Sequence, residues 1–221
     1  MAIAFIASAT QQIPAFAFTA HAGATDTCLI VAAFAGGGAG ATMTAVTFDG
    51  VGMTKLNAIV SASVDPNTEL SLWYLANPAS GSKTLDSTRS NGTFSRISVM
   101  SFSGVDQTTP VNTANEATQE IAVAAASSLA VTTANDNSWL VGGLLSPNNP
   151  PTGDSNTTIP GAGNYYPWYS PTAQTPAGSH ALGYTDTMTS VMFVAEMIVT
   201  GGGGGGGSAH LPYLNLLGVG A

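Results

Sequence analysis

"ELSLWYLANPASGSKTL", residues 69–85, carries the pattern that decides the fold. Leu70, Leu72 and Tyr74 alternate with Ser71, Trp73 and Leu75. In an extended chain successive side chains point to opposite faces, so this alternation predicts a strand. "NPASGSK" then supplies turn residues, and a second extended run begins.

The same unit recurs along the chain. Short apolar runs alternate with clusters of Gly, Pro, Asn, Asp and Ser. Strands are predicted near 2–8, 14–20, 26–35, 43–49, 56–62, 69–76, 82–86, 94–103, 118–124, 128–133, 138–146, 179–185 and 190–200. "RISVMSFSG" places Ile97, Val99 and Ser101 on one face. "SVMFVAEMIVT" is denser, which suits a strand buried on both sides or a sandwich core. Asp49-Gly50 in "VTFDGVGMTKL" predicts a two-residue hairpin turn, since Gly tolerates positive φ. "TQEIAVAAASSLAVTTA" is Ala-rich, yet alternation and the break at "ANDN" favour two strands over a helix. Many short strands with regular turn signals predict an all-β, jelly-roll-like antiparallel β-sandwich over residues 1–200. A Gly-rich C-terminal arm follows: the polyglycine linker 201–207, then an apolar docking arm, 208–221.

Composition narrows the function. Hydrophobic residues make up 44% of the 221 residues, enough for a core, while charged residues make up 7%. An ordinary domain has about 25% charged residues. Free monomers keep themselves soluble with charge; here Ser, Thr, Asn and Gly stand in its place, a composition that suits shells, adhesins and secreted proteins. Net charge is −8 with four Lys and Arg, which argues against phosphate-backbone binding and so against a nucleic-acid partner. No apolar run reaches about 18 residues, so no helical membrane span is expected. The start "MAIAFIASATQQIPAFAF" lacks a basic region and makes a poor signal peptide, so synthesis in the cytoplasm is expected. Cys28, in "DTCLIVAAF", reads as a small buried hydrophobe.

Four stretches together resemble a family of β-sandwich domains found in bacteriophage structural proteins and bacterial secreted proteins. They are "VTFDGVGMTKL", "ELSLWYLANPASGSKTL", "ISVMSFSGVDQTTPV" and "SVMFVAEMIV". The resemblance covers about residues 1–200 and implies a jelly-roll module without shared catalytic residues. The Gly run looks like those of phage tail and virion proteins.

Signatures of hydrolases and phosphate-binding loops are missing, and "GGGAG" at 36–40 reads as a hairpin tip. His21, His180 and His210 lack metal-ligand spacing, so no metal, cofactor or catalytic residue is expected. "TANDNS" and "SVDPNTE" are the two stretches whose oxygens could hold Ca²⁺. The long stretch 146–178 reads as a Pro/Asn/Gly loop. Within it, "NYYPWYSP" concentrates Tyr165, Tyr166, Trp168 and Tyr169. Such rings can be buried under a folded loop, form a subunit interface or stack on glycan. In the arm, Leu211, Tyr213, Leu214, Leu216 and Leu217 are expected to dock on a neighbouring subunit or shell.

The expected function is therefore structural: a bacteriophage virion protein, either head decoration (cement) or a fibre or tail component. Its expected partners are itself, as a homo-oligomer with a trimer the expected count, and other virion proteins. The alternative is a carbohydrate-binding or host-adhesion module, extracellular rather than in the virion, with cell-surface glycan as partner.

Overall fold

A computed structural model of the chain describes residues 1–11, 15–147, 151–161 and 163–201. The all-β antiparallel sandwich expected from the sequence is what the chain forms. Among the described residues thirteen strands run in order: β1 Ala4–Gln11, β2 Ala15–Thr19, β3 Cys28–Gly36, β4 Thr42–Phe48, β5 Val51–Gly52, β6 Thr54–Val60, β7 Glu69–Ala76, β8 Ser82–Ser90, β9 Phe94–Ser103, β10 Val111–Thr132, β11 Trp139–Leu145, β12 Tyr165–Tyr169 and β13 Ser179–Met197.

Three sheets stack. The central one has the order β1-β9-β3-β7-β6, flanked by β2-β8-β4-β5 on one side and β10-β13-β11-β12 on the other. β3 shows why the sequence permits this. All nine of its residues are buried. Cys28, Ile30, Ala32 and Phe34 enter the core shared with the β10-β13-β11-β12 sheet. Leu29, Val31, Ala33 and Ala35 enter the core shared with the β2 sheet. A strand apolar on both faces needs a layer on each side. Ile97 and Val99 of β9 share the second core, while Met100 and Phe102 share the first.

The opening stretch does not make a hairpin. β7 belongs to the central sheet and β8 to a flanking one, so residues 77–81 carry the chain between layers. The "GGGAG" stretch is likewise no hairpin tip, because β3 and β4 lie in different sheets and do not pair. Asp49-Gly50 does close a two-residue turn, with φ of 54° and 78° and Phe48 paired to Val51.

The segments predicted as pairs of short strands, 118–124 with 128–133 and 179–185 with 190–200, are two long strands. β10 pairs with β13 along its length, with register shifts between Ile121 and Ser127. Straight, 22 residues would span roughly 70 Å. Yet Asn112 at the start of β10 and Ala134 beyond its end both bond the carboxylate of Glu196. The ribbon therefore doubles back, and the Tyr184 hydroxyl meets Ser190 Oγ across the bend at 2.8 Å. Its returning half lays Leu129, Val131, Leu182 and Tyr184 over Leu140, Leu144, Trp168 and Val194, making a third core on the outer face of that sheet. The sequence gaps at 125–127 and 186–189 mark bends, not strand ends.

Registers give the sandwich two distinct ends. Gly36, Val60, Glu69, Phe94 and the β11–β12 junction meet at one end. Cys28, Ala76 and Phe102 meet at the other, where Met1 N also lies 3.5 Å from the carbonyl of Thr200.

Candidate functional site

The four aromatic residues proposed for contact sit on a strand, not in a loop. β12 pairs with β11 from Val141↔Tyr169 to Leu145↔Tyr165. Pro167 lies in its middle, which an edge strand accepts because one side needs no N–H. Alternation then sends the rings two ways. Tyr169 enters the central core, stacked between Phe5 at 4.8 Å and Trp139 at 5.9 Å. Tyr166 and Trp168 enter the third core, where Trp168 Nε1 donates to the Phe193 carbonyl at 2.9 Å. Glycine on β11 makes room: a Cβ on Gly142 would collide with that indole and that carbonyl. All three side chains are buried within their own chain.

Tyr165 alone is half-exposed. Its ring meets Phe34 at 4.9 Å and Phe94 at 6.0 Å, and the Arg96 guanidinium lies 5.9 Å from it. Burial first, then the neighbouring Asp65, pushes the Tyr165 hydroxyl above its ordinary pKa. Sequence reasoning missed Phe94, Arg96 and Asp65 here, because only the antiparallel register of β3 with β9 and the start of β12 bring them together.

Two carboxylates, also missed, set the shape of the ribbon. Glu120 on β10 accepts from the N–H groups of Ala62, Ser63 and Val64 and from the hydroxyls of Ser61 and Ser63, at 2.8–3.0 Å. Burial alone would raise its pKa. The N–H groups of Ser63, Ala62 and Val64 and the Ser63 hydroxyl outweigh it and hold the carboxyl at about 2. Glu196 is fully buried and, among the described residues, forms no ion pair; its oxygens accept from Asn112, Asn115, Ala134 and Asn135. Burial opposes the charge there too, but these donors prevail and hold the pKa below the usual carboxylate range.

Beyond these clamps, the outer half of β10 is largely exposed apart from Leu129 and Val131, which face the third core. Ala122–Ala126 are exposed in sequence, and Val123 is 82% exposed. Residues 121–132 contain no charged residue, no Gly and no Pro.

Other expectations resolve locally. Trp73 and Trp139 are core residues. Cys28 is fully buried, and burial pushes its thiol up to about 12. Asp136, in the "TANDNS" stretch, accepts from the N–H of Ala177 at 2.6 Å. Among the described residues, no three His, Cys, Asp or Glu side chains are placed to share a metal ion. Leu211, Tyr213, Leu214, Leu216 and Leu217 lie outside the described residues.

Compared with known protein-family models, curated proteins and solved structures, the chain matches none. The class that fold and site define is an antiparallel β-sandwich of three stacked sheets with a doubled-back ribbon.

Proposed function

We propose that the chain is a structural virion protein of a bacteriophage, a β-sandwich brick that works by adhesion between subunits. The observation that carries the adhesion reading is the exposed, charge-free outer half of β10. Soluble proteins normally guard such strands with charge, Pro or a covering element. Among the described residues the guard is absent over 121–132, while the first half of the same strand is clamped through Glu116 and Glu120. A chain with 7% charged residues also gains little solubility from its remaining surface. The virion setting rests on the resemblance of the four strand-and-turn motifs.

Adhesion is tested by sedimentation of the purified chain at tens of micromolar. The reading expects a homo-oligomer with a trimer as its count; a monomer at every concentration would overturn it.

Tyr165 supports a second reading. A half-exposed ring beside a carboxylate and a guanidinium is chemistry that grips sugar rings. A host-adhesion module would lose glycan binding on Tyr165→Ala. Unchanged binding, or none in the parent protein, would remove this reading.

A further inference from the structure

We infer that the free edge of β10, along Ser128–Thr132, is a strand-addition site for the apolar segment 208–221 of a second copy of this chain. This rests on the adhesion reading above and assigns its contact.

The direction of each backbone group can be worked out from the partners of β13. The Gly183 N–H donates to Thr157 Oγ1, and its carbonyl accepts from Asp154 N. The Ala181 carbonyl accepts from Asn156 Nδ2. Gly183 and Ala181 therefore point away from β10. They stand opposite Ser128 and Ala130, with Ser179 opposite Thr132 two residues further along. In an antiparallel ladder the residues of such a pair both turn their N–H and C=O outward. Ser128, Ala130 and Thr132 thus aim their backbone groups at the outer edge, and none has a partner among the described residues. Leu129 and Val131 between them face the third core, so the outward side chains are the small, exposed Ser128, Ala130 and Thr132. An incoming strand would meet unpaired hydrogen-bonding groups, small side chains and no charge.

The chain that follows β13 supplies the occupant. Gly201 lies five residues beyond Glu196, whose carboxylate holds Ala134, just past the end of β10. The seven glycines stretch to about 24 Å. That reach is enough for a crossing to a neighbour, which the adhesion reading calls for. The segment beyond, "SAHLPYLNLLGVGA", has no Asp, Glu, Lys or Arg, matching the charge-free edge. Each copy carries one edge and one segment, so the contact is head-to-tail, and a closed ring satisfies every copy.

The test uses the full chain in three forms, followed by light scattering and native mass. Ala130→Pro keeps the β13 ladder, because the Ala130 N–H is not used there, and removes one outward donor. Leu214→Asp with Leu216→Asp spoils the segment and leaves the edge. The parent should associate, and each variant alone should weaken association at least tenfold. Their mixture should form a one-to-one heterodimer, joining the good segment of one to the good edge of the other. Melting curves show whether Ala130→Pro is folded; if it is not, Ala130→Lys charges the same edge without touching the backbone.

If folded edge variants associate like the parent, the edge assignment is wrong while adhesion stands. If both variants are monomers and their mixture stays monomeric, the segment serves its own chain and the second-copy assignment is wrong. If the parent itself is a monomer, both readings fall.

Discussion

The carboxylate of Glu196 accepts the backbone N–H of Ala134 at 3.0 Å, and the same carboxylate accepts Asn112 Nδ2 at 2.9 Å. One buried group thus ties together positions 22 residues apart, one at the start of β10 and one just past its end. It latches the doubled ribbon over the third core. Glu196→Ala would leave the partly buried Ala134 and Asn135 N–H groups, and the Asn112 and Asn115 side chains, without this acceptor. A loss on the order of 3 kcal/mol in unfolding free energy is expected, with Glu196→Gln recovering part of it. A loss under about 1 kcal/mol, measured by denaturant titration, would show that the latch contributes little.

Glu120 predicts the acid behaviour. Its folded pKa of about 2 lies below the ordinary value of 4.5. A depressed carboxyl contributes stability above its unfolded pKa and loses it as pH falls through its folded pKa. Stability should therefore be fully present above about pH 5 and decline from there toward pH 2. Glu120→Gln should be less stable than the parent at pH 7, and the gap should narrow by pH 2. Denaturant midpoints across that range check this, and a gap independent of pH would contradict it.

Gly143 faces the central sheet. A Cβ there would lie 2.7 Å from Leu70 Cδ1 and 2.8 Å from Ala32 Cβ. Gly143→Ala should push the sheets apart locally and cost about 1–3 kcal/mol. Gly52→Ala, where added atoms meet open space, is the control and should fall within about 0.5 kcal/mol of the parent.

Tyr166 and Trp168 point into the same core but differ in their polar atoms. The Tyr166 hydroxyl has no hydrogen-bond partner among the described residues, whereas the Trp168 indole donates to Phe193. Tyr166→Phe should be neutral or stabilising. Trp168→Phe should cost about 2–4 kcal/mol, since volume and a buried hydrogen bond are both lost. Equal losses at the two sites would show that the hydroxyl has a partner after all.

The sequence exposes strands wherever alternation is local. The reading of 69–76 and 94–103 matches β7 and β9 residue for residue. It fails where long-range contact decides. Whether β8 joins β7 or a different sheet is not encoded in "NPASGSK". The bends of β10 and β13 read as breaks, because a doubled ribbon and two separate strands share the same local pattern. β12 was hidden by Pro167 and its loop-like flanks, although its alternating rings carry a period of two. The four aromatic residues were legible as large apolar groups. Their burial was not, since it depends on sheets contributed by distant segments. Glu120 and Glu196 gave no signal, because their donors lie 56–62 residues away or more.

The central claim is adhesion through the outer edge of β10, and hydrogen exchange at single amides reads it most directly. Ser128, Ala130 and Thr132 turn their N–H groups outward, while those of Leu129 and Val131 face β13 and serve as internal references. In the assembled protein the three outward amides should exchange nearly as slowly as the two references. In the Leu214→Asp, Leu216→Asp variant they should become fast while the references stay slow. Outward amides that exchange equally fast in the parent and the variant would contradict the account.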